Sequence, residues 1–144
     1  MPSSADLLDA NLWLALAAEA HTHHERAKRY WQKEAAPISA FCRVTELALL
    51  RHLTNRAIMG ELVLTPSEAW RKRTQFLALP EVRRVSEPVG LDEELAKFCD
   101  LGRTSPNLWT DAYLAALAKC AGLRVVTFDR GFARFGGLVL LVLQ

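Results

Sequence analysis

The stretch that decides the fold is LLDANLWLALA, residues 7–17, in which one carboxylate separates two apolar runs. The residues before that acid, ADLL at 5–8, form a short apolar run that is typical of a buried strand. The residues after it, from Ala10 onward, indicate a helix, and Asp9 is a residue type favoured at a helix N-cap. A strand that passes at once into a helix predicts the start of a β-α-β unit.

The same alternation of strands and helices continues along the chain. Further strands are predicted at PISAF (37–41), EVRRVSEP (81–88, the weakest), LRVVTF (123–128) and LVLLVL (138–143). Helices are predicted at 10–20, 22–35, 43–55, 67–79, 91–102 and 105–122. The pattern predicts an α/β fold with three layers, α/β/α, around a central parallel sheet of four to five strands. By its length the chain is expected to form a single domain, 1–144.

Several helix ends carry their own signals. Thr22 and Glu25 have the spacing of a capping box at the start of the second helix. Ser105, followed by a proline, predicts the start of the last helix, and Gly122 predicts its end. The helix before it is expected to stop at Gly102.

Composition limits the class of protein. Hydrophobic residues make up 51% of the 144 residues and charged residues 24%, which indicates a folded globular chain. The net charge of +2 is too small to indicate a nucleic-acid partner by itself. No apolar stretch approaches the roughly 18 residues of a membrane span, and no signal peptide is evident, so we expect a soluble, cytoplasmic protein without a membrane partner. The three cysteines, Cys42, Cys99 and Cys120, are expected to be free thiols.

Four carboxylates stand at positions that the surrounding pattern would bury. Asp9 and Asp129 each follow a strand, and the carboxyl ends of parallel strands meet at one edge of a sheet. Glu46 and Asp111 lie on the apolar stripes of their helices. Each has an ordinary alternative: Asp9 and Asp129 as helix caps, and the two helix acids at the edge of their stripe beside water or an arginine.

Taken together, the four acids predict a metal site. Carboxylates that converge on one edge repel one another, and a divalent cation removes that repulsion. Hard oxygen ligands favour Mg²⁺ or Mn²⁺, and the lack of a Cys/His ligand set argues against zinc. An acidic site that binds Mg²⁺ is typical of chemistry on phosphates.

The segments LLDAN, TELALLRHLTN and TDAYLAALAKCAGLRVVTFDRGF resemble the acidic motifs of PIN-domain ribonucleases, in particular the VapC-like toxins of toxin–antitoxin pairs. The resemblance implies that Asp9, Glu46, Asp111 and Asp129 are the catalytic, metal-binding acids, with Asn11 and Thr127 as polar supports. It implies a PIN-like fold and a Mg²⁺- or Mn²⁺-dependent endoribonuclease that a cognate antitoxin inhibits, and a homodimer. Leu14, Ala17, Ala18, Ala27, Tyr30 and Trp31 of the first two helices are expected to lie partly in the core and partly in a groove where an antitoxin helix docks by its apolar face.

An RNA substrate requires basic residues around the acidic pocket. Arg130, next to Asp129, and Arg51 are the foremost candidates for RNA contacts. The other candidates are Arg56, Arg71, Lys72, Arg73 and Arg134. The tryptophans Trp13, Trp70 and Trp109 are expected to pack in the core rather than to stack on bases.

Three alternatives remain open. The first is a stand-alone PIN-like nuclease. The second is a phospho-aspartate protein, a receiver domain or a phosphatase; the phosphatase needs D-x-D where this chain has D-x-N. The third is an interaction module without activity, which the presence of all four acids disfavours. Asp6 occupies a strand position that is usually apolar, which predicts either an exposed start of the strand or a shifted register.

Overall fold

The computed structural model describes residues 4–99 and 105–144, which are built around a five-stranded sheet. The strands are β1 (Ala5–Leu8), β2 (Ile38–Phe41), β3 (Val82–Arg84), β4 (Arg124–Thr127) and β5 (Val139–Val142). Their order in space is β3-β2-β1-β4-β5, and every neighbouring pair is parallel. The predicted parallel sheet is therefore confirmed, including β3, which has the weakest sequence signal.

Helices cover both faces of the sheet. They are α1 (Ala10–Ala17), α2 (His24–Lys33), α3 (Arg43–Leu53), α4 (Arg56–Met59), α5 (Pro66–Leu77), α6 (Leu91–Cys99) and α7 (Leu108–Ala121). One core cluster lies under α6 and α7, and a second lies under α1, α2, α3 and α5. This is the three-layer α/β/α arrangement that the alternation predicts.

Adjacent residues of each central strand point into different layers. In β1, Leu7 packs into the α6–α7 cluster and Leu8 into the other, and Val125 and Val126 of β4 divide in the same way. Successive side chains of a strand alternate between faces, so a strand covered by helices on both faces must be apolar at consecutive positions. This explains why these strands form continuous apolar runs in the sequence.

Asp6 is the polar exception in β1, and both predictions for it are wrong. Its side chain is fully buried, and β1 keeps the expected register with its neighbours. Arg124 of β4 donates to both of its oxygens, at 2.8 and 2.9 Å. The Tyr30 hydroxyl and the backbone N–H of Ala36 also donate to it. A buried charge that is paired and hydrogen-bonded in this way is compatible with a folded core.

The helix-end predictions have mixed outcomes. α2 begins at His24 after His23, which makes no side-chain capping bond, so the predicted capping box of Thr22 and Glu25 is wrong. α7 begins at Leu108, later than the Ser-Pro signal predicts. Gly122 ends α7 with φ of 71°, as predicted, because glycine adopts this left-handed conformation without strain. The expected helix end at Gly102 lies outside the described residues.

Two smaller predictions concern thiols and membrane spans. Cys42 is a buried free thiol, and Cys120 is free but only half-buried. The side chain of Cys99 lies outside the described residues. Within residues 4–99 and 105–144, no helix combines the length and the apolar character that crossing a membrane requires.

Candidate functional site

Asp9 links the end of β1 to the start of α1. Its Oδ1 accepts a hydrogen bond from the backbone N–H of Ala10 at 2.7 Å, and its Oδ2 accepts one from the Thr127 hydroxyl at 2.8 Å. Burial raises the pKa of Asp9, the bonds from Thr127 and Ala10 lower it in part, and the negative charge of Asp129 raises it further. Asp9 is thus the helix cap that the sequence indicates, and it is also one member of a group of interacting acids.

Asp129 lies two residues beyond the end of β4, at the same edge of the sheet. Its backbone N–H donates to Oγ1 of Thr127 at 3.0 Å, and its Oδ1 accepts from the N–H of Gly131 at 2.7 Å. The single hydroxyl of Thr127 therefore binds Asp9 and the backbone of Asp129 together. This geometry fixes the spacing between the ends of β1 and β4.

Asp111 lies in the first turn of α7 and is buried. Burial and the negative charge of Asp9 raise its pKa to about 6, with a smaller contribution from Asp129. Nη2 of Arg134 donates to its Oδ2 at 3.3 Å, which lowers the pKa in part. The structure therefore brings Asp9, Asp111 and Asp129 within electrostatic range of one another.

The chemistry of these three acids fits a hard divalent cation. Their donor atoms are carboxylate oxygens, which Mg²⁺ and Mn²⁺ prefer, and the raised pKa of Asp111 reflects a repulsion that a cation would relieve. Among residues 4–99 and 105–144, no group of three or more His, Cys, Asp or Glu side chains is already arranged to hold a metal ion. Metal ligation by the three aspartates is therefore a proposal.

Glu46, the fourth predicted ligand, is fully buried in α3 and is bonded to three arginines. Its Oε1 accepts from Nε of Arg73 at 2.6 Å and from Nη2 of Arg84 at 2.8 Å. Its Oε2 accepts from Nε of Arg84 at 2.9 Å and from Nη1 of Arg43 at 3.1 Å. Burial would raise the pKa of Glu46, but the bonds from Arg84 and Arg73 outweigh it and lower the pKa. Its role as a metal ligand stays a prediction.

Three of the supporting and RNA-contact candidates have exposed side chains. Asn11 is exposed in the first turn of α1. Arg130 is exposed directly after Asp129, at the start of a 3₁₀ turn that spans Arg130–Arg134. Arg51 is exposed in the last turn of α3. Their predicted functions are not tested by these positions and stay predictions.

The tryptophans divide between core and surface. Trp13 is fully buried and stacks on Phe41 with ring centroids 3.7 Å apart, as predicted. Trp70 and Trp109 are 51% and 66% exposed, so their predicted packing in the core is wrong. Trp70 instead supports Arg73, whose Cζ lies 4.1 Å from the centre of its ring.

Sequence reasoning missed the arginines that contact the acids directly. Arg43 and Arg84 were not among the candidates, and no contact to Asp111 or Glu46 was predicted for Arg134 or Arg73. The signal for Arg84 was present, because it ends β3 at the edge where the carboxyl ends of the strands meet. Arg43 is only three residues from Glu46, on the same helix. The other arginines are 23 to 38 residues from their partners in the chain, beyond the reach of local patterns.

The fold and this arrangement of acids are those of an α/β protein of the PIN type. In agreement, the PIN domain family matches residues 7–138 of the chain. The chain belongs to the PIN domain family. It is 41% identical over 143 residues to Ribonuclease VapC41 of Mycobacterium tuberculosis, across 95% of this chain and 97% of that protein. It is 31% identical over 126 residues to Ribonuclease VapC38 of the same organism, across 87% of this chain and 85% of that protein.

Solved structures share the fold. The crystal structure of Mycobacterium tuberculosis VapC20, a sarcin-ricin loop cleaving toxin, superposes with a TM-score of 0.70 at 20% identity, across 98% of this chain and 100% of that one. VapBC2 from Rickettsia felis, bound to a DNA fragment from its promoter, gives 0.67 at 12% identity, across 97% and 99%. The predicted PIN-like fold is therefore confirmed.

Proposed function

We propose that this protein is a metal-dependent endoribonuclease and the toxin of a toxin–antitoxin pair. The observation that carries the proposal is the group of three aspartates at the carboxyl edge of a PIN-type sheet, where burial and mutual repulsion raise the pKa of Asp111 to about 6. The names of the relatives, VapC ribonucleases, support the same reaction. We further propose that residues 1–144 form one domain and that the protein acts in the cytoplasm.

Asp9, Asp111 and Asp129 would hold Mg²⁺ or Mn²⁺. When bound, such a cation neutralises charge that develops on the phosphoryl oxygens and lowers the pKa of water for attack on phosphorus. Thr127 keeps Asp9 in place through its hydroxyl. Arg134, beside Asp111, is placed to pair with a phosphate oxygen.

An antitoxin would need an apolar docking surface. Leu14, Ala27 and Tyr30 are buried and belong to the core. Ala17 and Ala18, from the same predicted surface, line an apolar depression of about 530 Å³ at the end of α1, against α4 and the 3₁₀ turn Gly60–Leu62. Ile58 and Leu62 are exposed there. An amphipathic antitoxin helix fits such a groove by its apolar face.

Two experiments test the proposed function. Purified protein with Mn²⁺ or Mg²⁺ should cut single-stranded RNA, EDTA should stop the reaction, and Asp9→Asn should lower the rate by orders of magnitude. Expression should arrest bacterial growth, and co-expression with the product of an adjacent small gene should restore it. RNA cleavage without growth arrest or an adjacent partner would instead support a stand-alone PIN nuclease.

A further inference from the structure

Three arginines converge on Glu46 at the edge of the sheet that carries the aspartates. α3 begins at Arg43, directly after the end of β2, and β3 ends at Arg84. In the strand order, β3 lies two positions from β1, which ends beside Asp9. Neighbouring strands are about 4.8 Å apart, so the ends of β3 and β1 are separated by roughly 10 Å. The arginine cluster, defined as Arg43, Arg73 and Arg84 around Glu46, is thus a neighbour of the candidate metal site.

The charge of this cluster favours an anion. Three guanidinium groups and one carboxylate give +3 and −1, a net charge of +2. Glu46 is ionised at neutral pH because its arginine partners lower its pKa. Each of its oxygens already accepts two hydrogen bonds, which is about the capacity of a carboxylate oxygen. A divalent cation would meet repulsion here and find few free lone pairs, whereas an anion would meet attraction.

The guanidinium groups are both accessible and held in place. The side chains of Arg43 and Arg84 are 57% and 33% exposed, while Arg73 is nearly buried against the ring of Trp70. A guanidinium has more N–H donors than its bonds to one carboxylate use. Arginine binds phosphate strongly through paired N–H groups, and a group fixed beforehand loses less side-chain entropy on binding.

We propose that the arginine cluster binds a backbone phosphate of the RNA strand next to the phosphate that is cut, and that Glu46 is the positioning residue that fixes these arginines. The proposal rests on the proposed ribonuclease function. It assigns Glu46 a role distinct from the metal binding proposed for the three aspartates. The bound RNA strand would then run along the carboxyl edge of the sheet, from the end of β1 toward the end of β3.

RNA binding without cleavage tests the proposal. The protein in EDTA is titrated into a fluorescein-labelled single-stranded oligouridylate, and anisotropy is followed between 50 and 200 mM salt. Arg43→Gln and Arg84→Gln should each weaken binding roughly five- to tenfold. Each should also reduce the slope of log K against log salt, by at most about 0.7, the value for complete loss of one phosphate contact on a single strand. Arg29→Gln, an exposed arginine on α2 near Glu34, is the matched control and should change neither quantity.

The role of Glu46 needs a readout other than activity. Glu46→Gln should keep the rise in melting temperature that Mn²⁺ produces, measured against the metal-free form of the same variant, while RNA affinity falls. Loss of that rise would overturn the positioning role and favour metal ligation. With Mn²⁺ present, Arg43→Gln and Arg84→Gln should raise KM for RNA and leave kcat within about twofold, because they act on binding away from the bond that is cut.

The outcomes separate this proposal from the ribonuclease function. If wild-type protein cuts RNA while Arg43→Gln and Arg84→Gln bind with unchanged affinity and salt slope, the phosphate site is overturned and the ribonuclease function stands. If folded wild-type protein neither binds nor cuts RNA, the ribonuclease function fails and the phosphate site fails with it. Arg43 is the most exposed of the three, so its variant remains informative if Arg84→Gln does not fold.

Discussion

Nη2 of Arg134 lies 3.3 Å from Oδ2 of Asp111, so a fixed cation already faces the carboxylate whose pKa is raised to about 6. Arg134 is held there by its bond to the carbonyl of Gly131 and by the ring of Phe135. A guanidinium in this position shares the carboxylate with any divalent cation that binds the three aspartates. We therefore expect the contact to lower the affinity of the candidate site for metal.

Arg134→Gln should lower the Mn²⁺ concentration needed for half-maximal binding several-fold, because a competing positive charge is removed. Isothermal titration calorimetry at pH 8 measures this under conditions in which protons no longer compete for Asp111. Arg51→Gln, on the last turn of α3, is the control and should leave the affinity unchanged. Weaker Mn²⁺ binding by Arg134→Gln would show that the guanidinium supports the site instead.

Asp111→Asn should stabilise the metal-free protein at pH 7 by about 1–3 kcal/mol, since a shift of one pKa unit corresponds to about 1.4 kcal/mol. The folded protein holds the Asp111 proton more tightly than the unfolded chain does, so the stabilising contribution is complete below pH 3.8 and is lost as the pH rises through about 6. Urea unfolding from pH 4 to pH 7 measures the trend, and the variant should show a smaller decline. Asp92→Asn, an exposed acid of α6, should behave like wild type.

Thr127→Val should destabilise the protein by about 1–3 kcal/mol, because it leaves the bonded groups of Asp9 and Asp129 without their shared partner at a partly buried position. Cleavage of RNA should fall at least tenfold as Asp9 loses its fixed position. Thr127→Ser retains the hydroxyl and should keep most of the activity. Equal activity of the valine and serine variants would exclude the positioning role of the hydroxyl.

Asp6→Ala should lower the free energy of unfolding by about 3–5 kcal/mol, because it leaves Arg124 and Tyr30 without their buried acceptor. Asp6 lies in β1 three residues before Asp9 and its partners are separate from those of the aspartate group. The rise in melting temperature with Mn²⁺ should therefore be the same as in wild type. A selective loss of metal binding would place Asp6 in the site after all.

The sheet could be predicted from the sequence because the apolar pattern that indicates each strand lies within a few consecutive residues. Leu7 and Leu8, and likewise Val125 and Val126, belong to short apolar runs that are typical of a strand buried on both faces. The ends of these strands then place Asp9 and Asp129 at one edge of the sheet. The start of α7 was missed because the Ser-Pro signal at residues 105–106 lies in a turn that precedes Leu108. A local capping pattern does not determine which of several nearby residues begins the helix.

The contacts of the acids could not be predicted from local pattern. An acid on an apolar helix stripe is compatible with a metal or with an arginine, and only tertiary structure brings Arg73 and Arg84 to Glu46. The same holds for Asp6, whose partner Arg124 is 118 residues away in the chain. The family resemblance predicts that Asp9 and Asp111 belong to one site, and the structure brings them within electrostatic range of each other. The resemblance carries no information about the arginines of this chain.

The most direct test of the central claim is the change in melting temperature with Mn²⁺ for wild type and for Asp9→Asn, Asp111→Asn and Asp129→Asn. If the three aspartates hold one divalent cation, Mn²⁺ at about 100 times its dissociation constant should stabilise wild-type protein by about 2.7 kcal/mol. Each variant should lose most of that stabilisation while remaining folded. A full wild-type shift in all three variants would contradict the account.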